Sequence, residues 1–378
     1  MSGSTLRVGL VVPRFTPFRG GVETYTAQAA SALASKGAEV TVITQMPRDA
    51  GLPLRVALDG YNVERHSLPF RDSFDVPSPA AVRSAWRPCR FDIVWVHSYH
   101  TPLAWLVSEQ AKAPVVLTPH YHGGGHTRLR EGIHYAYRPL GRRLMAASSL
   151  IAVDTDAEAS QVLRDFPRHV HRDKIRVIPL AVVDPVRGQR PYLCDSPVVL
   201  TVARQEPYKR TDLLIRAVVE LRNRAVPARL VVVGEGSELK TLQQLAVRLR
   251  AQDVVRFIGR ADEETLARWW ASASLYATAS RHEAFGIGLA EALVAGLPVV
   301  ASGIPAHREV VRRAGSSALA ALCPADISDV DATSQYADLM SQLLASPGSS
   351  SERAARCALP TTAHMADQLF EMLISVRG

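Results

Sequence analysis

Three segments of this 378-residue chain gather the residue types that hold a phosphorylated, hydroxyl-rich molecule. The densest runs from Arg281 to Pro298, with Glu283 in a loop, Gly286, Ile287 and Gly288 opening a predicted helix, and Glu291 further along it. Bare amides at a helix N-terminus attract phosphate, because their unsatisfied N–H groups and the helix dipole point the same way. Glu291 lies roughly a turn and a half beyond the glycines, where a carboxylate can accept from two adjacent ribose hydroxyls. Glu291 could instead cap or salt-bridge its own helix, but two glutamates bracketing the glycines make that less attractive. The second segment, Val202 to Arg210, sets Arg204 and Lys209 at the end of a predicted strand. Cations there can hold a diphosphate leaving group as its charge grows, although a solvated basic loop has the same composition. The third, Arg19-Gly20-Gly21-Val22-Glu23, follows the first strand, and its glycines let backbone N–H groups come close to a diphosphate. It lacks the full G-x-G-x-x-G, so a nicotinamide dinucleotide is not indicated, and a tight turn explains the glycines as well.

Histidines crowd the first half: His97, His100, His120, His122, His126 and His134. Zinc is disfavoured, because the Gly123–Gly125 run would leave the imidazoles poorly fixed and no supporting shell can be named. A flexible acceptor loop with one working imidazole, His120, is the better expectation. Asp154-Thr155-Asp156 has the look of a metal-binding pair, yet it follows a strand and precedes a helix, which makes capping the expected role. No metal site is expected.

These residues need a scaffold that brings loops together, and the hydrophobic pattern supplies one. Apolar, β-branched runs at Arg7 to Val12, Glu39 to Ile43, Asp92 to Val96, Val115 to Thr118, Leu150 to Val153 and Ile175 to Ile178 read as six strands with helical stretches between most of them. The rhythm restarts at Val198 to Val202, Arg229 to Val233, Val254 to Ile258, Ser274 to Ala277, Pro298 to Val300 and Ala318 to Leu322. Two α/β domains follow, each a Rossmann-like, doubly wound parallel sheet with ligands at the carboxyl ends of its strands, facing an interdomain cleft. The expected boundaries are 1–184 for an acceptor-binding domain, 185–360 for a nucleotide-sugar-binding domain and 361–378 for a closing helix that crosses back. The proline-punctuated stretch Asp184 to Pro197 is the linker, and Gln335 to Leu344 and Met365 to Val376 read as helices around a Ser-rich stretch at Ser346 to Ser351.

Composition narrows the function classes. Hydrophobic residues at 47% and charged residues at 21% suit globular cores rather than a disordered or fibrous chain. No apolar run is long enough to span a bilayer and Met1 to Leu6 lacks the form of a secretion signal, so a cytoplasmic protein is expected. Cys89, Cys194, Cys323 and Cys357 are scattered and are expected to be reduced. The net charge is +8, and residues 1–184 hold most of it, with 22 basic against 16 acidic residues. That surplus suits an anionic substrate or an anionic membrane face, which Arg128, Arg130, Arg138, Arg142 and Arg143 could touch peripherally, and a solvated helix face is the alternative. Nucleic acid is not expected, because no basic run is interleaved with aromatics.

Taken together, Gly20-Gly21-Val22-Glu23, Thr118-Pro119-His120, Ile178-Pro179, Arg204 with Lys209, Val233-Gly234-Glu235-Gly236, Phe257-Ile258-Gly259 and Glu283 to Glu291 continuing to Glu309 resemble the retaining family 4 glycosyltransferases of GT-B fold. The resemblance covers nearly the whole chain, and the Glu283 segment is its most specific part. It implies that Arg204 and Lys209 bind the donor diphosphate, Glu291 the ribose, and Glu283 the transferred sugar with the Gly286 and Ile287 amides nearby. His120 would line the sugar pocket, Gly21 would approach the phosphates or acceptor, Gly234 would belong to the donor site, and Gly259 and Arg260 would border the base. Retention by front-face attack, with the leaving phosphate helping to take the acceptor proton, calls for phosphate clamps rather than a protein base or a metal. Leu180 and Ala181 stand where asparagine and glycine are usual, Arg210 where glycine is frequent, and Ala306 in a turn that is commonly glycine-rich.

The expected activity is therefore transfer of a hexosyl or N-acetylhexosaminyl group from a GDP- or UDP-linked donor, with no other cofactor, to a small-molecule, saccharide or lipid-linked acceptor. A sugar-nucleotide 2-epimerase of the same fold and a non-catalytic nucleotide-sugar binding protein are the alternatives. A glycosidase pair of Glu283 and Glu291 would leave the glycines and the Arg204/Lys209 loop without a task.

Overall fold

The computed structural model describes residues 5–18, 20–70, 74, 76–121, 128–315, 320–345, 354 and 357–377, with the backbone alone for 128–136. The first half runs β1 (Arg7–Val11), α1 (Gly21–Ser35), β2 (Glu39–Met46), β3 (Arg55–Leu58), β4 (Tyr61–Ser67), α2 (Pro79–Trp86), β5 (Ile93–His97), α3 (Pro102–Gln110), β6 (Val115–Thr118), α4 (Arg128–Ala147), β7 (Leu150–Val153), α5 (Asp156–Asp165) and β8 (Ile175–Val177). The second runs β9 (Val198–Val202), α6 (Thr211–Asn223), β10 (Arg229–Val233), α7 (Leu239–Arg248), β11 (Val255–Gly259), α8 (Glu263–Ser272), β12 (Leu275–Thr278), α9 (Ile287–Val294), β13 (Val299–Ser302), α10 (Pro305–Arg313), β14 (Ala320–Cys323) and α11 (Asp329–Ala345). A last helix, α12 (Thr362–Val376), follows. The chain divides into two compact units, residues 1–181 with 360–378, and residues 182–359.

In the first unit eight strands stand in the order β3-β4-β2-β1-β5-β6-β7-β8, all parallel except β3, which is antiparallel to β4. The central strands are apolar on both faces because helices cover both, as parallel sheets require; β5, β6 and β7 are buried throughout. The hairpin β3–β4 is absent from the sequence expectation. Its strands carry Asn62, Glu64, Arg65 and His66 in place of an apolar run, although Asp59-Gly60 between them, with φ of 43° and 83°, is a strong two-residue turn signal.

α12 belongs to this unit. Met365, Leu369 and Leu373 are fully buried in it, Lys36 after α1 pairs with Asp367, and Ala181 N–H donates to Met365 Sδ at 3.2 Å. Leu180 and Ala181, which replace the usual Asn-Gly, are thus packed beneath the last helix.

The second unit is a six-stranded parallel sheet in the order β11-β10-β9-β12-β13-β14. Its 182–197 lead-in is held by its own unit: Tyr192 packs at a tilt against Trp269, ring centroids 4.6 Å apart, under the Arg268 guanidinium at 4.0 Å. All twelve predicted strands form, with ends displaced by up to three residues. Among the described residues no helix is long and apolar enough to cross a membrane.

Candidate active site

In the second sheet β9 stands between β10 and β12, so the loops leaving β9 and β12 diverge at the point where the strand order reverses. Such a point opens a crevice at the carboxyl ends of the strands. Lys209 reaches it from the β9 loop, at the end of a short 3-10 turn Pro207–Lys209, and Glu283 from the β12 loop. Their Nζ and Oε1 atoms lie 2.5 Å apart, and each side chain is less than a fifth exposed. Burial alone would discharge both groups. The Glu283 charge, with the Tyr208 ring beneath the ammonium, outweighs it and holds the Lys209 pKa above its ordinary value. Burial pushes Glu283 up, but Lys209 and the neighbouring His307 outweigh it and keep the carboxylate ionised.

His307, on α10, is fully buried and its pKa is lowered, first by burial. Nδ1 lies 2.9 Å from the Ser302 carbonyl, which fixes the proton on that nitrogen, and Nε2 is buried with no hydrogen-bond partner. The Nε2 edge faces Gly286: a Cβ there would sit 2.9 Å from His307 Cδ2 and 3.2 Å from Nε2.

Gly286 is the N-cap of α9 at φ 97°, ψ 60°, a conformation that favours glycine, and the chain turns there so that the first α9 amides end at the crevice beside Glu283. Gly288 in the first turn is needed for close approach, since a Cβ would collide with the Tyr276 hydroxyl. Glu291 is half-buried on the same helix, and burial raises its pKa to about 7, with the Arg187 charge pulling the other way.

Arg204 sits on the β9 loop with its side chain half exposed and Glu206 at 3.9 Å, and its charge acts on Lys209. Arg210 takes the left-handed conformation, φ 52°, that glycine usually supplies there. That conformation costs a non-glycine residue roughly 1 to 2 kcal/mol. Ion pairs to Asp212 at 3.0 Å and Asp329 at 2.9 Å, each worth up to about 1 kcal/mol, offset it. Gly234 does not offer its N–H to the crevice: it donates to the Gly259 carbonyl at 2.8 Å, and its α-carbon lies against the Ala203 carbonyl. Gly259, at φ 69°, has open space beside it, and Arg260 pairs with Glu235 at 3.1 Å on an exposed rim. Glu309 is tied to Arg313 at 2.8 Å within α10, and Ala306 is a helical residue.

The first unit has its own reversal at β1, which lies between β2 and β5. Gly20 caps α1 and Gly21 is its exposed first residue, while Glu23 is buried, paired with Arg14 at 2.5 Å. His97 ends β5, and His120 lies just beyond β6. His120, at φ 49°, is stacked on His97 with Nε2 3.5 Å from His97 Nδ1, and its own Nδ1 is 3.7 Å from Asp154 Oδ2. His97 is fully buried and its pKa lies well below the ordinary value, through burial first and then the His120 charge. The Tyr25 ring edge closes the cluster at 5.2 Å from His120. Thr155 is the helix cap of the Asp154 segment, and Asp154 faces the imidazole.

Sequence reasoning missed His307, His97 as a partner of His120, and Asp154 as its neighbour. The i, i+2 spacing of His97 to the buried Trp95 on one strand face was the available signal for the second. Arg19, His122, Gly123–Gly125 and His126 lie outside the described residues, as do the side chains of Arg128, Arg130 and His134. Among the described residues no three His, Cys, Asp or Glu side chains converge as metal ligands.

Residues 19–184 match the model of Glycosyltransferase Family 4, and residues 189–356 that of Glycosyl transferases group 1. A D-inositol 3-phosphate glycosyltransferase of Nocardioides is 30% identical over 338 residues, covering 79% of this chain and 74% of the relative. One of the same name from Actinosynnema mirum is 27% identical, covering 87% of this chain and 85% of the relative. Among solved structures, sucrose-phosphate synthase from Thermosynechococcus elongatus superposes with a TM-score of 0.72 at 18% identity, over 99% of this chain and 95% of that one. Anabaena HepE, solved with UDP and glucose, superposes with a TM-score of 0.68 at 17% identity over the same shares. At that identity the superpositions speak to the fold.

Proposed function

This chain belongs to the group 1 and family 4 glycosyltransferases, and on that premise we propose that it moves a hexosyl or N-acetylhexosaminyl group from a nucleoside diphosphate sugar to an acceptor hydroxyl, with retention at the anomeric carbon and without a metal. The acceptor oxygen bonds to the anomeric carbon from the face of the leaving group, the bond to the diphosphate oxygen breaks, and a phosphate oxygen takes the hydroxyl proton. The products are a glycoside and a nucleoside diphosphate.

The departing diphosphate gains negative charge, and Lys209, Arg204 and the Gly286 and Ile287 amides meet it. An ammonium has three N–H donors, and one is spent on Glu283, so Lys209 keeps two for phosphate. Glu283 takes hydroxyl hydrogens of the sugar, Glu291 those of the ribose, Gly259 and Arg260 border the base, and His120 is the residue of the first unit assigned to the transferred sugar. The observation that carries this reading is the buried Lys209–Glu283 pair at the reversal point of the second sheet, beside the glycine-opened start of α9. A UDP-linked donor comes first for testing because HepE was solved with UDP, and the relatives' name puts D-inositol 3-phosphate first among acceptors.

Calorimetric titration with UDP, UDP-glucose, UDP-N-acetylglucosamine, GDP and GDP-mannose tests the donor. Lys209→Ala strands the Glu283 carboxylate, which typically costs about 3–5 kcal/mol of stability, so the informative variant is Lys209→Met with Glu283→Gln. That pair restores the melting temperature while turnover stays down by at least roughly a hundredfold. Wild-type turnover by it would remove the site.

A further inference from the structure

His120 is held in a conformation that a residue with a Cβ seldom adopts, and such a backbone persists only where its surroundings over-determine it. The restraint comes from the start of α5. Glu158 is the third residue of that helix and nearly fully buried, and its own N–H donates to the cap, Thr155 Oγ1, at 3.0 Å. In a capping box the glutamate at this place reaches back to the N-cap amide. Here Oε2 accepts the Asp154 N–H at 3.1 Å, and Oε1 crosses to the neighbouring loop to accept the Tyr121 N–H at 2.6 Å. One carboxylate therefore ties together the residue after His120 and the residue whose side chain lies against the His120 ring.

We propose that Glu158 is a positioning residue for sugar transfer, its carboxylate setting the angle at which the His120 imidazole is presented. The inference rests on the reading above that His120 meets the transferred sugar. A helix cap alone would have no need of the Tyr121 bond. Bonds from an ionised acceptor to backbone N–H groups are about twice as strong as neutral ones, enough to hold a loop in register.

The test compares His120→Ala, Glu158→Gln, their double variant, Glu158→Asp and Thr155→Ala, with binding measured for UDP against UDP-glucose, UDP against UDP-N-acetylglucosamine, and GDP against GDP-mannose, and turnover followed as release of nucleoside diphosphate. Gln keeps the size of Glu158 but has one acceptor oxygen, and Asp keeps the charge but cannot span both loops. Each is expected to lower turnover roughly tenfold to a hundredfold, as small misplacements of working groups do, with bare nucleotide bound as tightly as by wild type. The double variant is expected to be no slower than His120→Ala, because two changes acting through one group do not add. Thr155→Ala, which removes the cap and leaves the Tyr121 bond, is expected to lower the melting temperature and spare turnover. Additive losses in the double variant, the same loss from Thr155→Ala, or wild-type turnover by Glu158→Gln would each overturn the proposal. Wild-type turnover by His120→Ala would instead overturn the reading of the site on which it rests.

Discussion

Burial makes a charge costly for Glu283 and Glu291 alike, but only Glu283 has a cation 2.5 Å away, so the two carboxyls end in different states. Glu291 titrates at about 7 instead of 4.5, so the folded protein binds its proton more tightly than the unfolded chain. Stability is therefore lost as pH rises from the unfolded to the folded value, by up to about 3 kcal/mol above pH 7. Glu291→Gln should melt higher than wild type at pH 8, match it near pH 5, and bind nucleoside diphosphate more weakly. Wild-type affinity should itself fall as pH drops below 7, when the proton fills the lone pair the ribose needs. Calorimetry at several pH values checks both, and undiminished binding by the Gln variant at pH 8 would sink the ribose assignment. The residues around this crevice were legible because glycines and acids at a helix start have a chemical signature. His307 was not: it lies on another helix, and only the fold brings it to Gly286.

At the scale of elements, α9 owes its position to two absent side chains. Gly286→Ala adds a Cβ at positive φ against a buried imidazole that Ser302 anchors and that cannot swing away. Loss of donor binding is expected, with the second unit still folded by circular dichroism; an Ala variant that binds UDP-sugars normally would show that the turn has another way to close. Parallel strands were readable because both faces are apolar, whereas the β3–β4 hairpin escaped because β3 is a four-residue edge strand and β4 carries Asn62, Glu64, Arg65 and His66. Arg210 shows the same limit from the other side: the position calls for glycine geometry, and of the two carboxylates that help an arginine hold it, Asp212 is local but Asp329 is brought there only by the fold.

At the scale of the molecule, the first unit is built from two separated stretches of chain and the second from one. Met365, Ala366, Leu369, Met372 and Leu373 of α12 are all buried. Burial of a large apolar side chain is worth about 1.5–3 kcal/mol, so their sum rivals the roughly 5–15 kcal/mol that holds a whole domain. Removal of residues 362–378 should therefore abolish the calorimetric transition of the first unit and leave that of the second, together with the nucleoside diphosphate binding proposed for it. Two intact transitions would contradict that ledger.

The split also orders events at the ribosome. Residues 182–359 are synthesised as one piece and can fold as soon as they emerge, whereas the half begun first waits for α12, the last helix described. Nascent chains would thus hold the crevice of the second unit before their opening sheet is sealed, and a chaperone that shields the α1 surface during that interval would have its client chosen by topology alone.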